Sequence, residues 1–214
     1  MSLNKDIYIG VEKAITLLQQ SCPIILTDDK KRENEGDLIC PVQTLNIQVI
    51  NFMIKHCGGM VCATITQNQA DKFQLPIIEQ RNVNKNMANF TLPIESSTDI
   101  TTGISAKDRY KSIMTLTDQN SVLNDISVPG HIMPIVIQKQ GLKKRKGHTE
   151  GSATISKISK LGINTVICEI LDEQGDSSRN DNLINFALMH RLKIVTIDSI
   201  YNYLEKNKIG FDLY

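Results

Sequence analysis

Ten consecutive residues, Asp28-Asp29-Lys30-Lys31-Arg32-Glu33-Asn34-Glu35-Gly36-Asp37, hold five carboxylates and three cations. They follow the apolar Pro23-Ile24-Ile25-Leu26 and lead into Leu38-Ile39-Cys40, so the charge must sit on a short connection between two core elements. For a generic charge run, the ordinary reading is a solvated turn with local salt bridges. Here the tight bounding by core strands favours a functional loop, as does Gly36, read as supplying a backbone geometry closed to other residues. Asp and Glu alternating with Arg and Asn suit a hard divalent cation, which prefers oxygen ligands. They also suit a polyhydroxylated anion, whose hydroxyls seek carboxylate acceptors. Until such a cation arrives, the carboxylates are expected to repel one another and leave the loop mobile.

The rest of the chain narrows the class. With 214 residues, 41% hydrophobic and 22% charged, it can bury one sizeable core, and a single domain over 1–214 is expected. A net charge of +1 gives no bulk field towards nucleic acid or an acidic membrane. No basic-then-apolar leader and no apolar run of membrane-spanning length occurs, so a cytoplasmic protein is expected. Cys22, Cys40, Cys57, Cys62 and Cys168 form no CxxC pair and are read as reduced core thiols, not as disulfides or a zinc site.

Periodicity predicts a helix over 6–20 (Val11, Ala14, Ile15, Leu18), a strand over 23–27, a helix capped by Asn46 through about residue 56, and a strand over 60–66. A run over 89–95 follows, with Pro93 marking an edge or bulge. Ser105 and Asp108 have capping-box spacing, which starts a helix at Ala106. Further on come a strand over 132–138, a helical stripe of Ile155, Ile158 and Leu161, and a strand over 166–171. A helix over 182–190, a strand over 194–197 and a helix over 200–206 complete the chain. This alternation argues for an α/β or mixed layered domain.

Four more segments carry chemistry. In Gly141-Leu142-Lys143-Lys144-Arg145-Lys146-Gly147-His148-Thr149-Glu150, the cations read alone as an exposed loop or a nucleic-acid patch. The run leads into a helix whose first turn holds Thr149, and free N–H groups, a hydroxyl and an Arg describe a phosphate site. His148 is then a candidate metal ligand in the same pocket. His131, in Pro129-Gly130-His131 before a strand, is by itself more often structural, although its titration range suits proton transfer. Glu169 interrupts an apolar strand and must be solvated or buried with a partner. The hydroxyl-rich segment 98–109 opens a helix, and capping explains Ser105 and Asp108 but not the paired Thr101 and Thr102.

In order, DDKKRENEGDLI, TDITTGISAKDR, PGHIMPI, RKGHTE and ICEILDEQGD, together with LKIVTIDSIYNY near the C-terminus, resemble the 3,4-dihydroxy-2-butanone 4-phosphate synthase family. The resemblance implies an α+β-like variant of the α/β class, a single layered domain with a mixed sheet flanked by helices. It implies a lyase of riboflavin biosynthesis that converts D-ribulose 5-phosphate into formate and L-3,4-dihydroxy-2-butanone 4-phosphate. It further implies Mg2+ as cofactor, with Mn2+ as the alternative, and a homodimer with active sites near the subunit interface. Some members carry a GTP cyclohydrolase II domain; this chain is expected to be the monofunctional form.

Carried over residue by residue, Glu33 and His148 hold the metal, and Arg32 and Asp37 contact substrate. Arg145, Lys146, Gly147 and Thr149 surround the phosphate. His131, Glu169 and Asp37 share the proton transfers, Thr102 and Glu35 lie nearby, and Glu33, His148 and Glu169 also line the substrate. The chain departs from the family pattern at Cys57-Gly58-Gly59, Gly151 and Ser177-Ser178. The competing reading is a repurposed paralogue that binds sugar phosphates without turnover.

Overall fold

Strands β1 (Ile24–Thr27) and β2 (Gly36–Pro41) are buried along their whole length, which is why they read as continuous apolar runs without alternation. They lie inside a mixed sheet in a computed structural model that describes residues 7–79 and 87–214. The other strands are β3 (Cys62–Ile65), β4 (Asn89–Phe90), β5 (Ile94–Ser96), β6 (Ile126–Val136), β7 (Thr165–Glu169) and β8 (Ile194–Thr196). Their order is β4-β6-β3-β7-β2-β1-β8, with β5 paired to β6.

Period-two alternation splits the core into two layers. Leu26, Ile39, Cys62 and Ile167 face α1 (Val11–Gln19), α5 (His148–Ile158) and α7 (Ile197–Lys206) through Val11, Leu18, Ile155 and Ile200. Ile25, Leu38, Cys40 and Cys168 face the other way. There they meet α2 (Ile47–Phe52), α3 (Gln67–Lys72), α4 (Ala106–Thr117) and α6 (Asn180–Met189). Helices on both faces of a mixed sheet bear out the expected class.

Local chemistry explains most boundaries. Asn46 accepts the Val49 N–H and caps α2, which runs on as a π-helical turn, Met53–Cys57, to left-handed Gly58. All five cysteines are free; Cys40, Cys57, Cys62 and Cys168 are buried as expected of core thiols, whereas Cys22, between α1 and β1, is exposed and is not a core residue.

Four expectations are corrected. The first helix starts only at Val11, because Tyr8 bridges Ile194 and the Ile9 N–H bonds its carbonyl, extending the β8 edge. The run over 89–95 divides into β4 and β5 around Pro93, which has no N–H to give to the ladder. His131 does not precede a strand but lies within β6, which begins at Ile126. Gly36 is not in the left-handed region. It is required because a Cβ there would lie 2.6 Å from Leu183 Cδ2 of α6, and the left-handed residue of the loop is Asn34, at φ 56°.

Candidate active site

Sheet register sets Asp37 of β2 directly opposite Glu169 of β7. Opposed residues on antiparallel strands share a face, and this is the face of Ile39 and Ile167, covered by α5. The apolar face thus ends in two carboxylates. His148, the first residue of α5, stands beside Asp37 and the loop residue Glu33, with Nδ1 3.8 Å from Glu33 Oε2 and 3.9 Å from Asp37 Oδ1. Its Nε2 is buried and, among the described residues, has no hydrogen-bond partner. A buried imidazole nitrogen left unpaired in a carboxylate pocket fits a ligand that is not a protein group.

Burial pushes the Asp37 carboxyl up to about 7; His148 opposes this, while Glu169, Glu33 and Glu35 add to it. Burial, with Glu169 and Asp37, also raises the Cys62 thiol, which stays protonated beside them. Glu169 is anchored through Oε2, which accepts the Met60 N–H at 2.8 Å.

The acidic loop is organised from within by Asp28. Its enclosed carboxylate accepts the Glu35 N–H at 2.9 Å, the Glu33 N–H at 3.1 Å and Arg32 Nη1 at 2.8 Å. Burial alone would raise this group, but the Glu35 N–H, His148, Arg32 and the Glu33 N–H outweigh it and hold Asp28 below the usual range. Arg32 Nη1 also meets Glu33 Oε2 at 2.5 Å, so a guanidinium lies between the two carboxylates and relieves the expected repulsion within the chain. One ligand atom each from Asp28, Glu33 and His148 lies within 4.8 Å of the others, the one such metal-capable group among the described residues. Its carboxylate-rich donor set suits a hard divalent cation.

A second group lies on the exposed half of β6. His131 Nδ1 is 2.8 Å from Glu95 Oε2, across the β5–β6 ladder beside the register shift at Ile94/Glu95. Gly103, at φ +81°, lets the Thr102 loop close on them; a Cβ there would lie 2.0 Å from Glu95 Oε2 and 2.5 Å from His131 Nδ1. Thr102 is exposed beside it. Thr101 is not a cap; it donates to Asp108 Oδ2 at 2.7 Å, while the Asp108 N–H donates to the N-cap Ser105 Oγ. Asp108 also accepts the Gly103 N–H, so it closes the loop and does not complete a capping box. Among the described residues, the ion pair of His131 is with Glu95 and not with the His148 group.

The cationic turn before α5 is held by its own neighbours. Arg145 Nη1 donates to Glu150 Oε2 at 2.7 Å, and both side chains are almost enclosed. Lys146 Nζ lies 3.9 Å over the Tyr201 ring and 3.3 Å from Asp198, so it is turned towards α7. Gly147 is the N-cap of α5 and Thr149 is buried in its first turn. A concavity of about 890 Å³ beside α4 holds none of these residues. Sequence reading did not single out Asp28, Glu95 or Arg179, whose guanidinium touches Glu33 and Glu35. Asp28 lay inside the charged run, whereas nothing local marked the other two.

Comparison with known proteins agrees with this geometry. Residues 12–203 match the model of the 3,4-dihydroxy-2-butanone 4-phosphate synthase family. A protein of that name from Tolumonas auensis is 34% identical over 197 residues, covering 92% of this chain and 91% of its own. A two-domain synthase of the same name from A. baumannii superposes with a TM-score of 0.87 at 35% identity, covering 93% of this chain and 59% of the other. A second structure, a 3,4-dihydroxy-2-butanone 4-phosphate synthase in complex with two magnesium ions, gives a TM-score of 0.87 at 26% identity, covering 95% of this chain and 100% of its own. With the family model, the relatives and the fold in agreement, the chain belongs to the 3,4-dihydroxy-2-butanone 4-phosphate synthase family.

Proposed function

We propose that this chain converts D-ribulose 5-phosphate into L-3,4-dihydroxy-2-butanone 4-phosphate and formate, the reaction of its family in riboflavin biosynthesis. The observation that carries the reading is the meeting of Glu33, Asp37 and His148, from a loop, a strand and a helix start, around an unpartnered imidazole nitrogen. Glu33 and His148 would hold Mg2+, with Asp28 beside them. Mn2+, which shares the oxygen preference, is expected to substitute. When bound, the cation supplies positive charge beside the enediolate, about 4 kcal/mol per unit-charge pair at ~4 Å and an effective dielectric near 20.

The side chains account for the proton traffic. Removing the proton α to the ketone needs a base, and expelling a hydroxyl needs an acid. Asp37, kept partly neutral by burial, can donate a proton near neutrality, and Glu169 on the facing strand is proposed to accept one. Arg32 and Asp37 would contact the substrate, Asp37 at the sugar hydroxyls. The N-terminus of α5, with Gly147 and Thr149, would take the phosphate; Arg145 and Lys146 would act there by leaving Glu150 and Asp198 or by lending charge through them. After an acyl shift, the water lost in dehydration returns in hydration, so five carbons leave as a four-carbon ketone phosphate and formate.

His131 and Thr102 enter this scheme in a homodimer. The edge that bears them exposes Val128 (46%), Ile104 (51%) and Leu92 (41%), apolar surface suited to a second copy. Such a copy would bring its His131 group to the His148 pocket of its partner. A cytoplasmic enzyme acting on a small molecule, with no nucleic-acid or membrane partner, is the accompanying expectation. Among the described residues no helix is long and apolar enough to cross a membrane.

The test is incubation with ribulose 5-phosphate and Mg2+, with and without chelator, followed by formate assay. Metal-dependent formate supports the enzyme, and tight substrate binding without formate supports the paralogue that only binds sugar phosphates. For the dimer, Val128→Asp is expected to give a monomer that binds metal but releases no formate. A dimeric, active variant would remove this edge from the interface.

A further inference from the structure

Arg179, the N-cap residue of α6, reaches across to the acidic loop with two donors. Its Nε donates to the Glu33 carbonyl at 3.2 Å and its Nη2 to Glu35 Oε1 at 2.5 Å. The two contacts straddle Asn34, the left-handed residue at φ 56°. From the inner side, the Asp28 carboxylate takes the N–H groups of Glu33 and Glu35. The Glu33–Glu35 backbone is therefore gripped from both sides, by a buried anion within and a cation without. Packing reinforces the latch, since Leu183 of α6 covers Gly36 where the loop re-enters the sheet.

We propose that Arg179 is a positioning residue for the metal site. It holds the loop in the backbone conformation that presents Glu33 to His148, and it acts through Glu33 and Glu35 without touching cation or substrate. The inference rests on the reading of Glu33 and His148 as metal ligands. A half-exposed ion pair contributes little by itself, and the Arg179 side chain is 48% exposed. What distinguishes this one is the carbonyl contact, because a fixed backbone oxygen makes the fork of donors a geometric clamp, which a lysine cannot reproduce.

The experiment measures Mn2+ binding by electron paramagnetic resonance in wild type, Glu33→Gln, Arg179→Ala, Arg179→Lys and Glu35→Gln. Hydrogen exchange of residues 28–37 is followed in the metal-free proteins. Arg179→Ala is expected to raise the metal Kd by about 10-fold, the low end for groups that orient metal ligands. It should also speed exchange at the Glu33 and Glu35 amides. Arg179→Lys, keeping the charge but losing the carbonyl contact, should fall between wild type and alanine. Glu35→Gln loosens the same grip from the other side and carries the test should the alanine variant not fold. An unchanged Kd in both Arg179→Ala and Glu35→Gln overturns the latch while leaving the metal reading intact. Wild type that binds no Mn2+, or Glu33→Gln that binds as well as wild type, overturns the metal reading and the latch with it.

Discussion

The His148 pocket and the His131 edge use the same residue types in opposite surroundings. Around His148, the side chains of Asp28, Asp37 and the imidazole itself are nearly enclosed, anchored by β1, β2 and the start of α5. At the edge, the His131 and Glu95 side chains are 40% and 22% exposed, on the stretch of β6 paired with β5. Enclosure makes the first group electrostatically sensitive, since desolvation dominates the Asp37 proton affinity. Exposure leaves the second pair open to water and screening salt, which weaken it until something covers it. In the proposed dimer, the first group would form one half of a site and the second would supply the other.

The sharpest way to break this contrast is to disable each half in turn. Glu33→Gln is expected to abolish both Mn2+ binding and formate release. His131→Ala should bind Mn2+ as wild type does but lose roughly 10²–10⁴-fold in kcat, the usual worth of a positioned acid or base. Loss of metal binding in the His131 variant would merge the two regions into one.

A second prediction uses pH. The folded Asp37 carboxyl has its pKa raised from 3.8 to about 7, so the folded state keeps that proton after the unfolded chain has lost it. Stability of the metal-free protein should therefore be undiminished by this group below pH ~4, fall as pH rises towards ~7, and then level off. The loss is on the order of 4 kcal/mol at most. Asp37→Asn should flatten that dependence in denaturant titrations, and Mg2+ should reduce it in wild type. Equal pH slopes in the two metal-free proteins would show that Asp37 is not held neutral by burial.

The smallest expected effect lies at the edge. Ser105→Ala removes the cap of α4, which accepts the Asp108 N–H at 3.0 Å, and should cost about 1 kcal/mol of stability. Metal affinity should not move, because the scaffolding of the two halves is separate. A change in Kd would mean that α4 is coupled to the acidic loop.

Legibility in the sequence followed the range of the forces involved. Asn46 and Ser105 were readable as caps because a cap acts within three residues. Buried strands showed as apolar runs, and the charged loop showed by composition. The role of Gly36 was misassigned because its neighbour, Leu183, arrives from a distant helix. Thr101 was set apart from capping because its bond to Asp108 spans a loop closure, not a helical turn. Glu95 gave no signal, since what pairs it with His131 is a bulged register between two strands.

The sequence by itself determined which residues could carry charge, metal and protons, and which faces of its helices and strands would be buried, because side-chain chemistry and backbone periodicity are local. Only the tertiary structure decided that Asp37 opposes Glu169, that His148 opens its helix beside Asp37, and that Arg179 grips the loop from outside. Periodicity says that a side chain faces the core but not which distant strand or helix will lie against it. That choice is made by sheet register and packing over the whole chain.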